Sequence, residues 1–259
     1  MPFAKSADAQ IHYFLDGSAD KPALTLSNSL GADFSMWDPQ LPEFLQSFRV
    51  LRSDTRGHGQ SSVTPGPYTI EQLAKDVLAL ADALQFERFH FCGLSMGGQI
   101  GMWLAANAPK RLNKVVLCST AAKIGTPEMW DARIAAVRKE GMKNVAAAAI
   151  ERWFTPAYLA KNASTIAKIH KILESTNPEG YAACCAGLRD FDFREQLGKM
   201  RIPALVISGT HDPATTPADG QFLANHIAGA RYAELNGAHL SNIEDARRFT
   251  QEVSAFLNS

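Results

Sequence analysis

The chain has 259 residues, 46% of them hydrophobic, which suits a packed core in one large domain or two small ones and excludes a disordered chain. Twenty-six Lys and Arg balance twenty-six Asp and Glu, so no net field draws the protein to nucleic acid or an anionic membrane, and a charged ligand has to be recognised locally. The four cysteines, at 92, 118, 184 and 185, do not have the spacing of a disulfide framework, no window reaches the length of a membrane span, and MPFAKSADAQIHYF lacks the layout of a signal sequence, so a reduced, soluble, cytoplasmic protein is expected.

In chain order, the runs QIHYFL, PALTLS and FRVLRS read as strands separated by turn-rich stretches such as DGSADKP. Between the last two, Asp38 as cap and Pro39 at the first helical position predict a helix carrying Leu41, Phe44, Leu45 and Phe48 on one side. Thr69 and Gln72 have capping-box spacing ahead of Leu73, Val77, Leu80 and Leu84, which recur at helical intervals. A strand (FHFC), a helix (MGGQIGMWLAANA, closed by Pro109) and a strand (KVVLC) come next. Apolar strands alternating with helices predict an α/β fold with a mostly parallel sheet covered on both faces.

Residues 121–195 carry Ala-rich helical patterns and no clear strand. RIPALVISG then resumes the strand signal, a further helix follows Pro217, RYAEL is a strand, and a terminal amphipathic helix is predicted from Ser241 with Glu244 as its capping-box partner. The expected organisation is a core of residues 1–120 and 196–259 interrupted by an all-helical insertion, 121–195. An insertion at the carboxyl edge of such a sheet would lie as a lid over the place where ligands bind.

Gly93-Leu94-Ser95-Met96-Gly97 matches G-x-S-x-G and falls between a predicted strand and a predicted helix, the context in which a sharp turn exposes a serine nucleophile. The bland alternative is a capping serine at an ordinary turn. A serine needs a base, and His239 in ELNGAHLSN lies after the last predicted strand; Asp212, in SGTHDPATTP just past ALVIS, is placed to orient it. Ser95, Asp212 and His239 stand in the chain order that α/β-hydrolases use. Asp212 and His239 as a helix cap and a surface histidine are the competing interpretation. For the oxyanion, the backbone N–H of Met96 is one expected donor, and the NSLGADFSMW loop supplies the other at Leu30. No HExxH, spaced Cys/His set, GxGxxG or P-loop lysine is present, so the motifs imply neither a metal nor an organic cofactor.

SNSLGADFSMWDPQ, LRSDTRGHGQS, FCGLSMGGQIGMWL, VLCSTAAKIG, WDARIAAVRKEGM, ERWFTP, PEGYAACCAGLRD and GAHLSNIE together resemble the α/β-hydrolases and, within them, the 3-oxoadipate enol-lactonase family. Asn28-Ser29 stands where many α/β-hydrolases carry His-Gly, a variant to which the enol-lactonases are similar. The resemblance implies the α/β-hydrolase fold and hydrolysis of a five-membered enol-lactone with a carboxymethyl arm, without cofactor, by a monomer or small homo-oligomer. That carboxylate needs a cation. In TPEMWDARIAAV, Thr126 and Pro127 open a helix on which Trp130 and Arg133 share a face, so Trp130 is expected to stack on the lactone and Arg133 to pair with its carboxylate. Arg152, Trp153 and Arg189 are rival contributors, and Trp130 as core with Arg133 as a solvated charge is the bland alternative. Another serine hydrolase of the same scaffold, or a ligand receptor that keeps the pocket, are the competing functions.

Overall fold

The computed structural model describes residues 2–259, and its centre is an eight-stranded sheet in the order β1-β2-β4-β3-β5-β6-β7-β8. The strands are β1 (Phe3–Ser6), β2 (Ala9–Asp16), β3 (Ala23–Ser27), β4 (Arg49–Ser53), β5 (Phe89–Leu94), β6 (Leu112–Cys118), β7 (Ala204–Gly209) and β8 (Arg231–Leu235). β1 pairs with β2 and β2 with β4 in antiparallel fashion, and every other pairing is parallel. β3, β5 and β7 are buried at every residue, which is why their sequences are mainly apolar on both faces rather than alternating. β1 is not among the predicted strands: with four residues and an exposed–buried alternation it is too short to carry a periodic signal.

Helices α1 (Leu41–Ser47), α2 (Ile70–Ala83), α3 (Met96–Asn107), α9 (Pro217–His226), α10 (Ser241–Glu244) and α11 (Ala246–Asn258) accompany the sheet. Five more, α4 (Pro127–Glu140), α5 (Lys143–Trp153), α6 (Pro156–Lys161), α7 (Ala163–Ser175) and α8 (Pro178–Asp190), lie between β6 and β7. The Thr69 hydroxyl caps α2 by accepting from the Gln72 N–H at 3.0 Å, and Thr126 caps α4 in the same way. Val137, Tyr181, Cys184 and Leu188 of the five-helix segment belong to the same buried cluster as Phe91, Val115 and Val206 of the sheet. Gly180 lies against Gly57, so close that a Cβ on either would overlap the other's backbone. Among the described residues no helix is long and apolar enough to cross a membrane.

Two predicted helix starts are corrected. Asp33, not Asp38, caps the chain after β3, and it opens a 3-10 segment, Phe34–Gln40, with Pro39 inside it; α1 begins at Leu41. The reason is packing. Trp37 is fully buried and its indole N–H donates to Asn28 Oδ1 at 2.9 Å, while Asp38 turns to Arg52 and Lys168. At the other end, Ser241 does not share a capping box with Glu244. The helix breaks at Asp245, and the Glu244 carboxylate is taken by the Ala238 N–H at 3.0 Å and by the N–H and hydroxyl of Thr155.

Candidate active site

β5 and α3 meet at Ser95, which holds φ 58° and ψ −113°, a conformation costly for a residue with a side chain. The surroundings enforce it. The Ser95 N–H donates to the Cys118 carbonyl at 2.8 Å, and the Ser95 carbonyl accepts from the Thr120 hydroxyl at 2.8 Å. A Cβ at Gly93 would overlap the Gly97 carbonyl, and one at Gly97 would overlap the Ser27 carbonyl, so both glycines of the motif are demanded by close approach. The Ser95 hydroxyl makes no capping bond to α3, unlike an ordinary N-cap serine.

The loop after β3 is drawn to the same point, because the Gly97 N–H donates to the Asn28 carbonyl at 3.1 Å. The Ser29 N–H is engaged by Met36 Sδ and the Gly31 N–H by His58 Nε2 at 2.9 Å. Between them, the N–H of Leu30 has no acceptor among the described residues, and neither has that of Met96 at the first turn of α3. His58 can accept at Nε2 only with its proton on Nδ1, which then donates to the Arg56 carbonyl at 3.3 Å. Burial pushes this imidazole down to about 4, so it stays neutral and keeps its acceptor. The RGHG stretch, a plain turn by its composition, therefore holds the Leu30 loop in place.

Asp212 lies just past β7 and His239 just past β8, and their loops are tied by the His211 N–H to the Gly237 carbonyl at 3.0 Å and the Thr210 N–H to the Leu235 carbonyl at 2.9 Å. His239 Nδ1 lies 2.8 Å from Asp212 Oδ2. An ionised carboxylate only accepts, so Nδ1 is the donor in this contact. Burial raises the Asp212 carboxyl, but the His239 charge and hydrogen bond, the Thr215 hydroxyl at 2.7 Å and the Thr215 N–H at 3.1 Å outweigh it, and the group is held below the usual aspartate value. Sequence reasoning misses Thr215, because nothing in the chain separates it from other threonines of the loop.

Ser95 and His239 line one cavity of about 310 Å³, and Leu30, Trp130, Arg133, Arg152, Trp153 and Tyr181 line it with them. Its far wall thus comes from α4, α5 and α8. Trp130 is both lining and core: it is buried, donates to the Ile124 carbonyl at 2.7 Å, and carries the Arg133 guanidinium 4.9 Å from its ring centroid. Neither Arg133 nor Arg152 has a carboxylate partner at ion-pair distance among the described residues. Burial, and then the charge of Arg133, lower Arg152 from its ordinary value. Burial also raises the Tyr181 hydroxyl, and Arg133 and Arg152 pull against that rise. Arg189, the other rival, lies outside: it pairs with Asp131 at 2.7 Å and Asp190 at 2.8 Å and does not line the cavity. The Trp153 indole stacks on the His239 ring at 6.4 Å and 27°. A larger open cleft of about 640 Å³ shares Arg152 and Pro213 with this cavity but reaches neither Ser95 nor His239. No group of three metal-ligating side chains occurs among the described residues.

A glycine-flanked serine at a strand-to-helix elbow, with an Asp–His pair from later loops, is what the alpha/beta hydrolase fold family carries at this point of its sheet. The chain belongs to that family, whose model matches residues 22–246. Over 250 residues it is 45% identical to 3-oxoadipate enol-lactonase 2 of Acinetobacter baylyi, covering 96% of this chain and 94% of that one. It is 40% identical to 3-oxoadipate enol-lactonase 1 of the same organism over 95% of this chain and 92% of that one. The crystal structure of the enol-lactonase from Burkholderia xenovorans LB400 superposes with a TM-score of 0.99 at 49% identity and covers 100% of both chains.

Proposed function

We propose that this protein hydrolyses 3-oxoadipate enol-lactone to 3-oxoadipate, a step of the β-ketoadipate pathway of aromatic catabolism. The observation that carries the substrate class is the pair of arginines without carboxylate partners, Arg133 and Arg152, in the cavity that Ser95 and His239 line. Two cations held together in a cavity repel each other, and a carboxylate entering it relieves both. The similarity to proteins named as enol-lactonases supplies the ring. Arg133 takes the carboxylate, Trp130 stacks on the lactone, and the helices α4–α8 serve as a lid on a core of residues 1–120 and 196–259.

In this reading the Ser95 hydroxyl attacks the lactone carbonyl while His239 Nε2 takes its proton, and Asp212 stabilises the imidazolium. The oxyanion lies between the N–H groups of Leu30 and Met96, each worth about 3 kcal/mol in such a site. Collapse breaks the ring C–O bond, and the enolate oxygen takes the proton back from His239. The leaving group stays attached, because ring opening splits nothing off. A water deprotonated by His239 then frees the acid, and the enol becomes the 3-oxo compound. The four buried, free cysteines suit the reducing cytoplasm where such a step would run.

The test is the loss of enol-lactone absorbance with purified protein, set beside simple aryl esters. A kcat/KM on the lactone at least about 100-fold above that on the aryl ester is expected from a carboxylate contact of this kind. Equal turnover of both would leave a general esterase instead.

A further inference from the structure

A second cavity, of about 200 Å³, lies between the Phe34–Gln40 segment and α7. Its walls are mainly apolar, with Ala32, Met36, Ile169, Ile172, Leu240 and Ile243 among them. The charged groups that reach it are occupied, Asp38 with Lys168 at 3.1 Å and Asp33 with the N–H and hydroxyl of Ser35. The cation at its wall, Lys168, is thus paired, in contrast to the two arginines of the reaction cavity. Hydrocarbon-lined space of about 150 Å³ already accommodates a benzene ring.

Among the described residues, Trp153 alone lines both cavities. It stands at the end of α5, buried, with its ring stacked on His239 and its carbonyl accepting the Leu240 N–H at 3.1 Å. Ser95 and the two arginines line one of these cavities with it, and mainly apolar side chains line the other, a space of the size of a short alkyl chain.

We infer that Trp153 is the specificity wall of this enzyme: its indole shuts an apolar subsite off from the reaction cavity and so confines turnover to short, polar acyl compounds. The inference rests on the reading of the Ser95 cavity as the reaction cavity. Removing the indole joins the two spaces, and esters with an unbranched chain of four to six carbons become the class of substrate that gains.

The experiment uses the full chain with Trp153→Ala, on 4-nitrophenyl esters from acetate to hexanoate and on alkyl acetates from ethyl to hexyl. One series extends the acyl side and the other the alcohol side. Each methylene moved from water into the apolar space is worth about fourfold. The long-to-short ratio of kcat/KM is expected to rise about tenfold or more over wild type in one of the series. Adding Ile169→Phe, which refills the second cavity from α7, is expected to return the ratio toward the wild-type value. An unchanged ratio in both series, in a variant that still opens the enol-lactone, overturns the inference; so does a gain that Ile169→Phe does not reverse. Should Trp153→Ala fail to fold, Trp153→Leu carries the same comparison. Long-chain turnover that survives Ser95→Ala in the same background would overturn the reading of Ser95 itself, a failure told apart from the first by that observation alone.

Discussion

Two Asp–His pairs of the same length lie among the described residues, and only one of them stands at a cavity. His239 Nδ1 to Asp212 and His12 Nδ1 to Asp54 both measure 2.8 Å, and all four residues are buried. His12 is walled in by Phe3, Phe14 and Phe34, and its Nε2 is buried with no partner among the described residues. His239 stands at a cavity shared with a strained serine. The carboxylates differ as well. Asp212 accepts from two N–H groups, one hydroxyl and the imidazole, and is held low; Asp54 accepts from the Gln60 and Phe34 N–H groups and His12, which do not offset its burial, and is raised. The two contacts are alike in length, and what separates them is the surroundings of the far nitrogen.

The contrast can be broken most visibly at Ser95. Ser95→Ala is expected to lower kcat on the enol-lactone by about 10⁴-fold or more while the melting temperature stays within a few degrees. Turnover near the wild-type rate in that variant would remove the site from this cavity. Next in size, Asp212→Asn leaves the geometry but favours the wrong tautomer of His239, and a loss in kcat of about 10³- to 10⁴-fold is expected. Asp54→Asn at the equally short pair should change kcat by less than about threefold and register in stability instead. Comparable losses in kcat at both positions would show that the two pairs are functionally alike.

The helical wall sharpens the comparison in a different coordinate, that of binding. Arg133→Ala is expected to lower kcat/KM for the acidic lactone about 10- to 100-fold, through KM, and to leave an uncharged aryl ester within about threefold. If Arg152→Ala has this signature and Arg133→Ala does not, the carboxylate contact belongs to Arg152. Steady-state kinetics on both substrates separate the cases.

A physical divide separates the features legible in the chain from those that are not. The inner strands β3, β5, β6 and β7 and the elbow at Ser95 are legible because local rules produce them: buried parallel strands read as mainly apolar runs, and a serine between glycines at a strand end is a local pattern. The loops carrying Asp212 and His239 are legible from chain order. Contacts made over long separations are not. Glu244 looks like a capping residue of its own helix, yet it binds Thr155, 89 residues away. Arg152 and Arg189 are equally plausible cations in the sequence, and it takes the packing of α4 on α8, which sets Asp131 beside Arg189 and leaves Arg189 outside the cavity, to distinguish them. His58 likewise acquires its role from Gly31, 27 residues before it in the chain.

The smallest expected effect is one of sign, and it sets the two pairs against each other directly. The Asp212 carboxyl is held below its ordinary value of 3.8, so above that value the folded state gains from its ionisation, and the gain is lost as the pH falls through the folded-state value. Asp54 is raised above 3.8, so between 3.8 and its folded-state value the native protein holds more protons than the unfolded chain. Its contribution therefore runs the other way: stability is gained as the pH falls through the folded-state value. Replacing each by Asn removes that titration. In urea unfolding from pH 6 down to pH 3, Asp212→Asn should lose stability less steeply than wild type on the acid side, and Asp54→Asn more steeply. The steeper loss in Asp54→Asn belongs above pH 3.8 and the shallower one in Asp212→Asn belongs below it. Slopes that change in the same direction would mean that the two carboxylates have the same environment, and that the difference between the pairs lies in the histidines alone.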